Sequence, residues 1–112
     1  MAERIGLIGG MSPESTIVYY EHIVHEYVRR FGNHHYPEII IFSVSFQPYI
    51  DMQRAGDWKG IARGLIAAGR SLVAGGATVL GIATNTMHIV IDDVRNAVDA
   101  PFVSILDAVG NE

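Results

Sequence analysis

Short β-branched runs alternate along this chain with longer segments of helical period, and that alternation constrains the fold more than any other feature. Ile5-Gly6-Leu7-Ile8 is closed by Gly9-Gly10. Ser12 can then cap a helix, with Pro13 at its first position and Glu14 near its positive end. Ile17, Tyr20, Val24, Tyr27, Val28 and Phe31 recur at helical spacing as an apolar stripe, and Gly32-Asn33 supplies a stop. After Pro37, Ile39-Ile40-Ile41-Phe42-Ser43-Val44 reads as a strand buried on both faces of a parallel sheet.

Ser45 to Gly56 reads as polar and irregular. A second helix is expected from about Asp57, with Ile61, Leu65, Ala68 and Leu72 on one face and Gly75-Gly76 at its end. Gly60, Gly64 and Gly69 each lower its helicity by about 1 kcal/mol against Ala, and in exchange allow close packing. Thr78-Val79-Leu80-Gly81-Ile82 is a third strand, Thr86 to Val98 a third helix and Phe102-Val103-Ser104-Ile105 a fourth strand. Asp107 then looks like the cap of a helix that the chain does not complete. The order β-α-β-α-β-α-β predicts an α/β fold, a parallel sheet with helices on both faces.

The 112 residues fit one small domain, and an apolar fraction of 49% with 18% charged residues supports a packed core rather than disorder. Eight basic residues against twelve acidic ones give no footprint for nucleic acid or an anionic membrane. No apolar run approaches the roughly 20 residues of a bilayer span, and the start is too short for a secretory leader, so a cytoplasmic location is expected. Cysteine is absent, which excludes disulfides, thiolate metal sites and thiol catalysis from these residues.

In open parallel sheets, ligands bind outside the carboxyl ends of the strands. Gly9-Gly10-Met11-Ser12, Ser45-Phe46-Gln47, Ala83-Thr84-Asn85-Thr86 and Asp107 should converge there. Two of these segments lead into helix N-termini, whose free N–H groups favour a small anion. Gly6-x-x-Gly9-Gly10 is not the dinucleotide fingerprint, and no acidic residue follows the second strand to hold a ribose. The glycine pair reads more simply as a tight turn with positive φ. Thr84-Asn85-Thr86 is sharper: hydroxyl and amide groups around backbone donors, although capping of the third helix is an equally ordinary use of those residues.

The histidines carry less. His22 and His25 are expected on a solvated face of the first helix, since two ligands alone do not close a metal site. His34-His35 belongs to a loop, and His88 to the first turn after Thr84.

Together, Gly9-Gly10-Met11-Ser12-Pro13-Glu14-Ser15-Thr16, Gln53-Arg54 and Thr84-Asn85-Thr86-Met87-His88 resemble the aspartate/glutamate racemase family, in the branch with "GGMSxEST" and "TNTMH" motifs. The resemblance covers essentially the whole chain but only the first of the family's two α/β lobes. It implies a flavodoxin-like, three-layer lobe over residues 1–112, strand order 2-1-3-4, and a cofactor-independent racemase with no metal. Two groups on opposite faces of the substrate would exchange its α-proton. Most members use a cysteine from each lobe; here Thr84 stands at the first-lobe position, as in a branch that pairs threonine with a second-lobe cysteine. The resemblance assigns Asn85 and Thr86 to the substrate carboxylate, Met11 and Ser12 to the pocket lining, and Gln53 to a substrate contact from the loop after the second strand. A hydantoin racemase, a maleate isomerase-like enzyme, or a non-catalytic half that binds a dicarboxylate or dimerises stand as alternatives. A lone lobe would also expose apolar surface, with Tyr19, Tyr20, Tyr49 and Trp58 as candidates, so a homo-oligomer is expected.

Overall fold

The computed structural model describes residues 4–34, 36–83 and 90–102. Its elements are β1 (Arg4–Gly9), α1 (Pro13–Phe31), β2 (Glu38–Ser43), α2 (Phe46–Ala55), α3 (Trp58–Ala74), β3 (Val79–Ile82) and α4 (Ile91–Ala97). The three strands form a parallel sheet in the order β2-β1-β3, with Ile5 opposite both Ile39 and Val79. A parallel bridge from Leu80 to Phe102 begins a further pairing beyond β3. That agrees with the expected order as far as Phe102; Val103 to Ile105 and Asp107 lie outside the described residues.

Side-chain alternation along the strands divides the core in two. Ile5 and Leu7, with Tyr19, Ile23 and Ala83, make the smaller cluster beneath α1. Ile8, Leu80 and Ile82 join Ile61, Leu65, Leu72, Val94 and Val98 in the larger cluster, on the face covered by α2, α3 and α4. The split follows from handedness. A right-handed crossover from β1 to β2 and one running back from β2 past β1 to β3 must use opposite faces. The result is the expected α/β lobe in three layers, helices on both sides of one sheet.

The second helix begins where the sequence places it: Asp57 caps α3, its carboxylate accepting from the Gly60 N–H at 2.9 Å. The α3 glycines do permit close contact. A Cβ at Gly64 would collide with the Tyr49 hydroxyl and lie 2.9 Å from its Cζ, and one at Gly69 would sit 3.1 Å from Val98.

Three expectations are corrected. Ser45 to Gly56 is not irregular, because Phe46, Tyr49 and Met52 recur at helical spacing and pack on the larger core as α2. Pro48 falls in the first turn of that helix, where its missing N–H has no intrahelical partner to lose. β2 is not buried on both faces; it is the end strand of the described sheet, and Ile41 and Phe42 are about 40% exposed (41% and 40%). The α1 stripe read from the sequence is not the one that meets the sheet. Thr16, Tyr19 and Ile23 are buried, whereas Ile17, Tyr20 and Phe31 face solvent.

Candidate functional site at the strand carboxyl ends

The ladder continues past the strands at this end of the sheet. The Val44 N–H donates to the Gly9 carbonyl at 2.8 Å, and the Ala83 N–H donates to the Ile8 carbonyl at 2.8 Å. The segments leaving β1, β2 and β3 are therefore in hydrogen-bonded register where they depart. Thr84, Asn85, Thr86, Met87 and His88 lie outside the described residues; Ala83, the residue before them, is fully buried.

Gly9 and Gly10 have different reasons to be glycine. Gly10 has φ = 95°, and a Cβ on it would strike the Val44 carbonyl oxygen and come 2.7 Å from the Val44 nitrogen. A Cβ on Gly9 would lie 2.6 Å from Thr16 Cγ2. The tight turn expected from the sequence is therefore present, and it has a partner the sequence reading passed over. Thr16 Oγ1 accepts the Gly10 N–H at 2.8 Å and donates to the Ser12 carbonyl at 3.3 Å. In the sequence it shows only as a small hydroxyl residue six positions after the Gly-Gly pair, a spacing that does not by itself assign the contact.

Met11 is 2% exposed and belongs to the larger core cluster, so its side chain packs inward. Ser12 is half-buried in extended conformation at the start of α1, as an N-cap should be. Its hydroxyl makes no capping bond and instead lies 3.4 Å from the Ser15 hydroxyl. Pro13 follows, so the free N–H groups of the first turn begin at Glu14. Gln53 is exposed on the last turns of α2, on a helix rather than a loop, and its carbonyl accepts the Gly56 N–H at 3.1 Å. The structure thus brings Gly10, Met11, Ser12 and Thr16 together at the end of β1 and leaves Gln53 facing solvent farther along.

Of the histidines, His25 and His34 are exposed. His22 is half-buried rather than solvated, and its Nε2 is enclosed with no hydrogen-bond partner among the described residues. No group of three or more His, Cys, Asp or Glu among the described residues is placed to hold a metal ion. No helix among the described residues is long and apolar enough to cross a membrane.

Tyr49 is buried and Trp58 half-buried in the larger core, so neither contributes to an exposed aromatic patch. Tyr19 is buried too, leaving Tyr20 as the exposed member of the four. Burial raises the Tyr49 and Tyr19 phenols above their ordinary value of 10.0.

Residues 8–112 match the family described as Asp/Glu/hydantoin racemase. The chain is 24% identical over 106 residues to the broad specificity amino-acid racemase RacX of Bacillus subtilis (strain 168), covering 92% of this chain and 46% of that protein. Among solved structures, a Yersinia pestis protein assigned as an Asp/Glu racemase superposes with a TM-score of 0.89 at 43% identity, over 95% of this chain and 46% of its own. PH1733, an aspartate racemase homologue from Pyrococcus horikoshii OT3, gives a TM-score of 0.85 at 40% identity, over 97% of this chain and 47% of its own. The chain spans about half the length of each of these relatives.

Proposed function

Because the chain belongs to the Asp/Glu/hydantoin racemase family, we propose that residues 1–112 form the first lobe of an amino-acid racemase that interconverts the enantiomers of aspartate or glutamate in the cytoplasm without a cofactor. The observation that carries the reading is the registered strand ends. The bonds from Val44 to Gly9 and from Ala83 to Ile8 make the end of β1 and the departure point of Thr84-Asn85-Thr86 neighbours on one rim. The first turn of α1 opens on that rim with unpaired N–H groups, which suits a substrate carboxylate.

In this reading the Cα–H bond of the bound amino acid breaks, its proton passes to a group on one face, and the electron pair spreads into the α-carboxylate as an enediolate-like carbanion. A group on the opposite face returns a proton to Cα, giving the other enantiomer. Thr84 is the group on one face, and a cysteine of a second lobe that this chain does not contain is the other. Asn85 and Thr86 hold the carboxylate where negative charge develops, the task that fixed hydrogen-bond donors perform best. Ser12 and Met11 bound the pocket, Met11 through its backbone because its side chain is core. Gln53 reaches the substrate only by extending from the exposed side of α2. A hydroxyl is a far weaker acid than a thiol of pKa about 8.5, so the two faces are unequal and one enantiomer is the better substrate.

The complete absence of cysteine favours a second reading for the chain taken alone: a half that binds a dicarboxylate without turning it over. An NMR titration with a small dicarboxylate tests the shared premise. Shifts are expected at the amides of Gly10, Met11, Ser12 and Thr84 to Thr86. Shifts confined to His22 and His25 on α1 would overturn both readings.

A further inference from the structure

We propose that the groove between the last turns of α1 and the segment returning to β2 binds a flat aromatic carboxylate, independently of the chemistry at the strand carboxyl ends. The groove has a volume of ≈ 480 Å³, within the range of small-molecule sites. It lies where β2 begins, at the amino ends of the parallel strands. With 6 residues in β1 at about 3.3 Å each, that is on the order of 20 Å from the rim.

Two consecutive residues of positive φ shape the groove. Gly32 has φ = 81° and Asn33 has φ = 55°. Asparagine is among the few residues with a side chain that accept left-handed backbone readily. After this reversal Asn33, His34 and Tyr36 line one groove together with the α1 face of Val24, His25, Val28 and Arg29.

The lining divides by chemistry. Val24 and Val28, one helical turn apart and half-buried, supply its apolar part. His34 and Tyr36 supply an aromatic pair, with ring centroids 5.9 Å apart and planes tilted by 56°. The pair is braced by the 3.4 Å approach of His34 Nδ1 to the Tyr36 hydroxyl. A flat ring over the valines can meet these rings in the offset or edge-on contacts that aromatic groups prefer.

Charge selects an anion. Among the described residues no carboxylate lines the groove, and Glu21, one turn before His25, stands outside it. Glu26, on the same turns of α1, is committed elsewhere. Arg29 donates to it at 3.1 and 2.7 Å, and Arg30 pairs with it at 3.6 Å. One carboxylate against two guanidiniums leaves positive charge in excess beside the groove, in a chain of net charge −4. Guanidinium, imidazole and amide N–H groups can donate to a ligand carboxylate, and charge-assisted bonds of this kind are the strong ones. A carboxylate conjugated to a ring lies in the plane of that ring, so ring and anion enter as one flat body. A tetrahedral phosphate would project from that plane.

The test titrates the 112-residue chain with 2-naphthoate, followed by NMR of the histidine rings and backbone amides. Saturable shifts are expected at His25 and His34 and at the amides of Asn33 and Tyr36, with Gly10 and Ser12 unmoved. Naphthalene-2-carboxamide keeps the ring without the charge and should bind at least about 10-fold more weakly, as should acetate, which keeps the charge without the ring. Arg29→Gln and His34→Ala, both at exposed positions, should each weaken 2-naphthoate by about 10-fold or more. Arg63→Gln, exposed on α3 across the sheet, should leave its affinity unchanged. Absence of a saturable shift overturns the proposal. So do equal affinity for the carboxamide, unchanged affinity in both groove variants, or shifts centred on Gly10 to Ser12.

Discussion

Gly10 donates its backbone N–H to Thr16 Oγ1 across 2.8 Å of buried space, tying the turn after β1 to the helix that follows it. The same threonine rests its methyl where a Cβ on Gly9 would be. One side chain thus fixes the turn through a hydrogen bond at one glycine and a close approach at the other.

Thr16→Val keeps the shape and removes the acceptor, leaving the Gly10 N–H buried without a partner. A loss of about 1–3 kcal/mol is expected, read as a lower urea midpoint with unchanged m. Thr16→Ser, which keeps the oxygen, should recover most of the hydrogen-bond contribution. A stable Thr16→Val beside a destabilised Thr16→Ser would show that the methyl group carries the effect instead.

Gly10→Ala should be the more damaging change at this turn. It places a side chain at φ = 95° and against the Val44 carbonyl. Left-handed backbone alone costs roughly 1–2 kcal/mol for a residue with a Cβ. The collision with backbone adds to that, so the variant should fall below Thr16→Val in thermal midpoint.

Gly64→Ala tests the docking of α2 by sign. In a free helix the substitution stabilises by about 1 kcal/mol. Here the new methyl meets the Tyr49 ring, and overpacking of this kind costs about 1–3 kcal/mol. Net destabilisation is expected in chemical denaturation, and Tyr49→Leu in the same background should relieve part of it. A stabilised Gly64→Ala would mean that α2 is not held against α3.

Stability should fall at alkaline pH. Burial holds the Tyr49 phenol above its ordinary value of 10.0 in the folded chain. A group whose folded pKa is raised contributes stability that is fully present below its unfolded value and lost as pH rises through the folded one. The decline therefore begins near pH 10, and the ultraviolet titration of tyrosinate should be coupled to unfolding. Tyr49→Phe should flatten that decline.

The 112-residue chain, lacking a thiol and the residues of a second lobe, should show negligible racemisation of L-aspartate or L-glutamate by chiral chromatography. A robust rate without added metal or cofactor would mean that these residues alone complete a site.

The described strands and α3 were legible as elements because their signals are local: β-branched runs, an aspartate cap and a regular face from Ile61 to Leu72, although the β2 run did not foretell its exposed side. α2 was hidden by Gln47, Pro48, Asp51, Gln53 and Arg54 on its exposed side, which outnumber Phe46, Tyr49 and Met52 against the core. α1 misled in another way. Periodicity shows that a helix has apolar stripes but cannot rank two of them, and the one that meets the sheet includes a threonine and a tyrosine. At the rim, the glycine turn could be read from Gly9-Gly10, whereas the role of Thr16 depends on distances that no spacing rule supplies.

The unequal division of the core bears on how the lobe moves. α1 is held by the smaller cluster, while α3 is fastened over both the sheet and its helical neighbours by the larger one. Fewer buried apolar contacts mean a smaller free energy of local opening, so amides along α1 should exchange with solvent faster than those of α3. The rim at the carboxyl ends of the strands, onto which α1 opens, therefore rests on the looser of the two layers.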